Sequence, residues 1–162
     1  MRKTERISKI LSEKKLKIAV AESCTGGFIS NAFTNIPGAS KFFTLGVVTY
    51  SNEAKQKILG IDENTLKQYG AVSEEVASLM ARNVKRIACA DIGLSTTGYL
   101  APAKDVPEHM TGIIYAGIDF KHTSIYTAKL TGNRVQMKTQ ACSFVLQKLQ
   151  ENIEEFFTLG GR

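Results

Sequence analysis

The sequence predicts an α/β domain, a three-layer α/β/α sandwich around a mixed, partly parallel sheet. Three observations predict it. Helical and strand patterns alternate along most of the 162 residues. The strand candidates at 17–21 (KIAVA), 45–50 (LGVVTY) and 92–97 (IGLSTT) are short, and helical stretches separate them, as parallel pairing requires. Two further runs, 113–120 and 124–130, are joined only by Lys121-His122-Thr123, a connection that implies an antiparallel pair.

Taken in order, Ile7, Ile10 and Leu11 mark one face of a first helix. The strand at 17–21 follows. A second helix is expected from Thr25, with Phe28, Ile29, Ala32, Phe33 and Ile36 on one stripe, and Pro37-Gly38 ends it. After the strand at 45–50, residues 52–59 read as a helix with Gly60 just past its end. Asp62 caps a short helix reaching Gln68. Ser73 caps a long one, with Glu74 and Glu75 where the helix dipole favours acids. Its apolar stripe is Val76, Leu79, Met80, Val84 and Ile87. Beyond the strand at 92–97 lies a loop over 98–110 holding Pro102 and Pro107. Gly132-Asn133 is a turn. A final helix over 135–157 buries Cys142, Val145, Leu146, Leu149, Ile153 and Phe156. Residues 158–162 read as a disordered tail.

Length fits one domain over 1–162. Hydrophobic residues at 43% and charged residues at 22% are the proportions of a globular chain. No apolar run reaches the ~18 residues a membrane span needs, and the charged N-terminus holds no secretory h-region. Cys24, Cys89 and Cys142 are odd in number and form no CxxC, so a reducing compartment, the cytoplasm, is expected. His109 and His122 have no ligand spacing, and neither metal nor cofactor is expected. The net charge of +6 is scattered over solvated faces without aromatic interleaving, so nucleic acid is not an expected partner. A nucleic-acid accessory role would demand binding that weakens steeply with salt. The charge would suit a small phosphorylated ligand.

Sites in such sheets gather at the carboxyl ends of strands. Ser23, Tyr50 and Thr97 all fall at expected strand ends. In AESCTGGF (21–28) a strand enters a turn and then a helix, placing Ser23, Cys24 and Thr25 where backbone N–H groups lack helical partners. Gly26 and Gly27 permit close approach. The same pattern fits an N-cap with packing glycines equally well. It matches neither a Walker loop nor GxSxG. A serine nucleophile needs a base, and neither histidine lies near a strand end. A lysine of lowered pKa can serve. VTYSNEAK (48–55) offers Tyr50 at a strand end and Lys55 in the following helix. Cys24 is a minor alternative nucleophile, although such a cysteine is more often a small buried hydrophobe.

AESCTGG, GVVTYSNEAKQKILGI and YGAVSEEVASLMA together resemble the C-terminal domain of the CinA family, which includes stand-alone nicotinamide-nucleotide amidohydrolases. The resemblance spans about residues 16–155. It implies a three-layer α/β/α fold. It also implies hydrolysis of the carboxamide of nicotinamide mononucleotide, to nicotinic acid mononucleotide and ammonia, a step of NAD salvage. By resemblance Ser23 is the nucleophile and Tyr50 and Lys55 activate it. Thr97 and Gly98 belong by resemblance to the substrate pocket, to which the turn reading adds Thr25, Gly26 and Gly27, and Arg134, in a turn similar to G-D-R, contacts the substrate. A pyridine nucleotide is the implied partner. The larger family members carry an additional N-terminal domain, which makes this chain the small domain alone, and a two-fold dimer is the expected assembly.

The sequence departs from the family after the T-G step. The family follows it with AGPxGG and later KPVG; here the residues are Thr97-Gly98-Tyr99-Leu100-Ala101-Pro102-Ala103-Lys104 and His109-Met110-Thr111-Gly112. A loop without paired glycines is stiffer and carries side chains, and Tyr99 would stack on a base or fill the pocket. The departure supports a second reading, a non-catalytic nucleotide-binding relative acting as a partner domain.

Overall fold

Among the described residues, 3–102 and 104–160, the computed structural model has six α-helices around a five-stranded sheet. The strands are β1 (Ile18–Glu22), β2 (Phe43–Val48), β3 (Ile92–Gly98), β4 (Ile113–Asp119) and β5 (Thr123–Lys129), in the order β2-β1-β3-β4-β5. β1 pairs in parallel with both β2 and β3, whereas β3–β4 and β4–β5 are antiparallel. The mixed sheet expected from the sequence is the one observed.

Both faces of β1 are covered, which is why IAVAE is buried throughout. Ile18 and Val20 join Ile92, Leu94, Ala116 and Ile118 on one face. That face packs on α1 (Lys3–Glu13), α2 (Phe28–Thr34) and α6 (Arg134–Thr158) through Ile7, Leu11, Ile29, Phe33, Val145, Leu149 and Ile153. Ala19 and Ala21 point the other way, toward α3 (Asn52–Leu59), α4 (Glu63–Tyr69) and α5 (Glu74–Ala88). The residues facing α5 are small for a reason. A Cβ on Gly117 would lie 2.5 Å from the Ala77 carbonyl oxygen, and one on Gly93 would collide with the Ala81 carbonyl. Ser95 donates its hydroxyl to the same Ala77 carbonyl at 2.6 Å. The backbone of α5 therefore rests directly on the sheet.

The caps on Asp62 and Ser73 are present: their side chains accept from the Thr65 and Val76 N–H groups. Ser51 caps α3 and Asn133 caps α6, the latter with Gln136 in a capping box. Gly60 ends α3 at φ 68°. Some details differ from expectation. Ile87, assigned to the apolar stripe of α5, is exposed, and Ala77 and Ala81 are buried in the helix instead. β2 closes at Val48, so Tyr50 lies beyond the strand. Thr158, placed in the tail by the sequence, is the last residue of α6, and Leu159 and Gly160 continue as a hydrogen-bonded turn. Residues 161 and 162 lie outside the described residues. No helix among the described residues is long and apolar enough to cross a membrane.

The chain leaves β1 through α2 on one face and leaves β2 through α3 on the other. The carboxyl ends of these parallel neighbours thus open a crevice where the connections diverge. Ser23 stands at that point.

Candidate active site

Ser23 follows β1 directly. Its N–H donates to the Thr96 carbonyl at 2.9 Å, and its own carbonyl accepts from Gly26 N–H at 3.1 Å. The serine is fixed at the head of a four-residue turn. Gly26 and Gly27 take φ of 60° and 98°, the left-handed region that glycine enters without strain. The helix expected from Thr25 begins only at Phe28, because this turn occupies the intervening residues.

The donors at the start of α2 are already used. Glu22 is 0% exposed. Its Oε2 accepts from the Gly27 and Ile29 N–H groups at 2.9 and 3.1 Å, and its Oε1 from the Ser30 N–H and hydroxyl at 2.8 and 2.6 Å. The anion held at this helix start is therefore the protein's own carboxylate. The N–H groups expected to cradle a ligand at Gly26 and Gly27 are occupied by Ser23 and Glu22. Cys24 and Thr25 N–H take no acceptor from another described residue, and they follow Ser23 directly in the chain.

Lys55 reaches this serine from α3. The Ser51 cap sets the start of that helix, and Lys55 lies one turn in, pointing at the sheet. Its Nζ lies 3.2 Å from Ser23 Oγ and donates to the Thr49 carbonyl at 2.8 Å. The residue is 1% exposed and forms no ion pair among the described residues. Burial without a carboxylate partner disfavours the ammonium and holds its pKa below the ordinary 10.5, against an opposing pull from Cys24. The hydroxyl of Thr49 is buried beside it with no hydrogen-bond partner among the described residues. A buried serine hydroxyl against a lysine whose proton is loosened is the arrangement needed for nucleophilic attack without a histidine.

Tyr50 does not join this pair. It is 61% exposed, and its hydroxyl accepts from Arg134 Nη1 at 3.4 Å. Thr25 is fully buried and shares a 2.7 Å hydrogen bond with Thr96. Thr97 donates its hydroxyl to the Ala71 carbonyl at 2.7 Å, tying β3 to the start of α5. Gly98 is a packing glycine: a Cβ there would lie 2.6 Å from Ile114 Cγ2 and 2.7 Å from the Ile113 carbonyl oxygen. The side chains of Thr25 and Thr97 are thus turned into the protein rather than toward Ser23.

Burial pushes the Cys24 thiol up to about 12, with its own backbone N–H pulling down and Glu22 adding to the rise. It packs with Leu100, Ile114, Leu130, Met137 and Ala141 as a small hydrophobe. The helix-start activation considered for it is absent, since α2 starts four residues later. Among the described residues no cluster of His, Cys, Asp or Glu could hold a metal.

Sequence reasoning missed Glu22, Thr96 and the Thr49 carbonyl. Glu22 carried a signal: it is an ionisable residue ending a wholly apolar strand, and a buried carboxylate must find several donors.

A three-layer α/β domain with a serine–lysine pair at a parallel strand end is the class that fold and site define. The CinA C-terminal domain profile matches residues 2–153. A protein named for competence-damage induction from Thermoanaerobacter pseudethanolicus is 47% identical over 138 residues, 84% of this chain and 33% of that protein. A CinA-like protein from Amoebophilus asiaticus is 43% identical over 152 residues, 93% of this chain and 36% of that one. Among solved structures, a competence or damage-inducible protein from Enterobacter asburiae superposes with a TM-score of 0.89 at 30% identity, covering 93% of this chain and 96% of that one. A CinA superfamily protein from Escherichia coli gives 0.86 at 31% identity, covering 91% and 87%. The chain belongs to the CinA C-terminal domain family. It spans about a third of the length of the curated relatives it matches.

Proposed function

We propose that this domain is an amidohydrolase that cleaves the carboxamide of nicotinamide mononucleotide, with Ser23 as nucleophile and Lys55 as proton carrier. One observation carries the reading: the buried Lys55 Nζ lies 3.2 Å from the Ser23 hydroxyl, with no carboxylate among the described residues to hold its charge. A neutral Lys55 amine donating to the Thr49 carbonyl keeps its lone pair for the serine proton. Ser23 Oγ bonds to the amide carbon, and the proton passes to Lys55. The resulting oxyanion faces the Cys24 and Thr25 N–H groups. Lys55 returns the proton to the departing nitrogen, and ammonia leaves an acyl-serine. Water, deprotonated by the same amine, then bonds to the acyl carbon, the Ser23 Oγ–acyl bond breaks, the proton returns from Lys55 to Ser23 Oγ, and nicotinic acid mononucleotide is released. Arg134 suits the 5′-phosphate, with Tyr50 steering its guanidinium. A cytoplasmic two-fold dimer is the expected working form.

The test is incubation with nicotinamide mononucleotide and mass-spectrometric detection of nicotinic acid mononucleotide, with Ser23→Ala alongside. Product from the native chain alone supports the reading. Equal product from the variant removes Ser23 from the mechanism.

A second reading, a non-catalytic nucleotide-binding partner domain, is favoured by the segment after Gly98. Tyr99 extends the β3–β4 ladder, donating to Ile113 and accepting from Gly112, and Leu100 is buried beside Cys24. Nucleotide binding without any product over long incubation would select this reading.

A further inference from the structure

We infer that Lys138 completes a phosphate-monoester subsite with Arg134 beside the Ser23 turn, and that Lys138 makes the site prefer a nucleotide over the corresponding nucleoside. The inference rests on the amidohydrolase reading for the substrate and on geometry for the anion.

α6 begins at Arg134, and Lys138 lies one turn further along the same face. The two side chains have different neighbours. Arg134 Nη1 meets the Tyr50 hydroxyl beyond the end of β2. Lys138 Nζ hangs over Gly26: a Cβ built there would lie 3.1 Å from it. It also lies 5.7 Å from the Phe28 ring centroid.

Neither cation has a carboxylate partner among the described residues. The acid of the turn, Glu22, is fully buried with both oxygens occupied by Gly27, Ile29 and Ser30. Like charges at this helical spacing repel, and Lys138 is half-buried, so solvent screens its charge less. A dianion between the two would relieve that repulsion. Gly26 leaves the ammonium reachable, since any side chain there would occupy the approach and would be strained at φ 60°. A guanidinium offering paired donors beside a compact ammonium suits the oxygens of a terminal phosphate. The competing role for Lys138 is a cation resting on Phe28 alone.

The experiment compares nicotinamide mononucleotide with nicotinamide riboside, which carries the same amide without phosphate, on the native chain, Lys138→Gln and Lys138→Arg. The ratio of kcat/KM for nucleotide over nucleoside should fall about tenfold or more in Lys138→Gln, the range for a lost charge-assisted hydrogen bond. Lys138→Arg should restore most of it. A ratio unchanged in Lys138→Gln overturns the subsite, and Lys138 is then only a cation on Phe28. If the native chain turns over neither compound, the amidohydrolase reading fails and the subsite is judged by calorimetric titration with nicotinamide mononucleotide. At least tenfold weaker binding to Lys138→Gln supports it, and equal binding overturns it.

Discussion

Ser30 closes on the Glu22 carboxylate twice, giving Oε1 both its backbone N–H at 2.8 Å and its hydroxyl at 2.6 Å. With Gly27 and Ile29 on the other oxygen, one buried side chain ties the end of β1 to the start of α2. Glu22→Gln turns an amide NH2 toward donors that need an acceptor. The variant should be less stable by about 2–3 kcal/mol, the scale of losing hydrogen bonds to a charged group. Urea unfolding measures it, and a change within experimental error would mean the carboxylate does not organise the turn.

Lys55 makes stability depend on pH in a defined direction. Its pKa is lowered by burial from 10.5, so between the lowered value and 10.5 the unfolded chain binds more protons. Stability therefore rises with pH across that window. The stability of the native chain relative to Lys55→Met should climb as pH approaches 10.5 and level off above it. Turnover should rise over the same window as Lys55 loses its proton, with a midpoint below 10.5. A flat stability difference would show that Lys55 titrates normally.

The three thiols should separate by reactivity. Cys89 is exposed, Cys142 is half-buried and pushed up to about 11 by burial, and Cys24 is buried and pushed up to about 12. Iodoacetamide at neutral pH should label Cys89 first and leave Cys24 untouched until unfolding, as peptide mass spectrometry would show. Early labelling of Cys24 would contradict the burial of the turn.

Gly117→Ala should destabilise the domain by about 1–3 kcal/mol, because the new methyl forces the α5 backbone off the sheet. The contact is with the Ala77 carbonyl at 2.5 Å and Ser95 Oγ at 2.6 Å, and neither can swing away cheaply. Denaturant midpoints test this; an unchanged midpoint would mean α5 rides loosely.

Tyr50→Phe should cost far less turnover than Lys55→Met, about tenfold against a thousandfold or more. Tyr50 touches Arg134 rather than Ser23, so the loss should lie in KM. A loss in kcat equal to that of Lys55→Met would place the phenol in proton transfer.

Element order was readable because the signals are local. A short apolar run marked β1, the three-residue connection marked the hairpin, and Asp62 and Ser73 announced their helices. Ser23 could be named as a candidate from strand-end placement, and Lys55 from its place in the following helix together with the family resemblance. What the chain hid was non-local. Gly93, Ser95 and Gly117 fall inside expected strands, and their packing role shows only once α5 lies on them. Thr25 and Thr97 look like pocket hydroxyls until Thr96 and the Ala71 carbonyl engage them. The delayed start of α2 depends on a carboxylate reaching forward to Ser30, which no periodicity encodes.

The serine and its lysine stand 32 residues apart in the chain and meet across the rung that pairs Glu22 with Val48. Before β1 and β2 lock, Lys55 is an ordinary hydrated cation and Ser23 an ordinary alcohol. A slip of one residue would turn the inward side chains outward and disarm the pair. The alignment of two strands is thus the safety catch of the site: an incompletely folded chain is chemically harmless, and reactivity arrives with the native register.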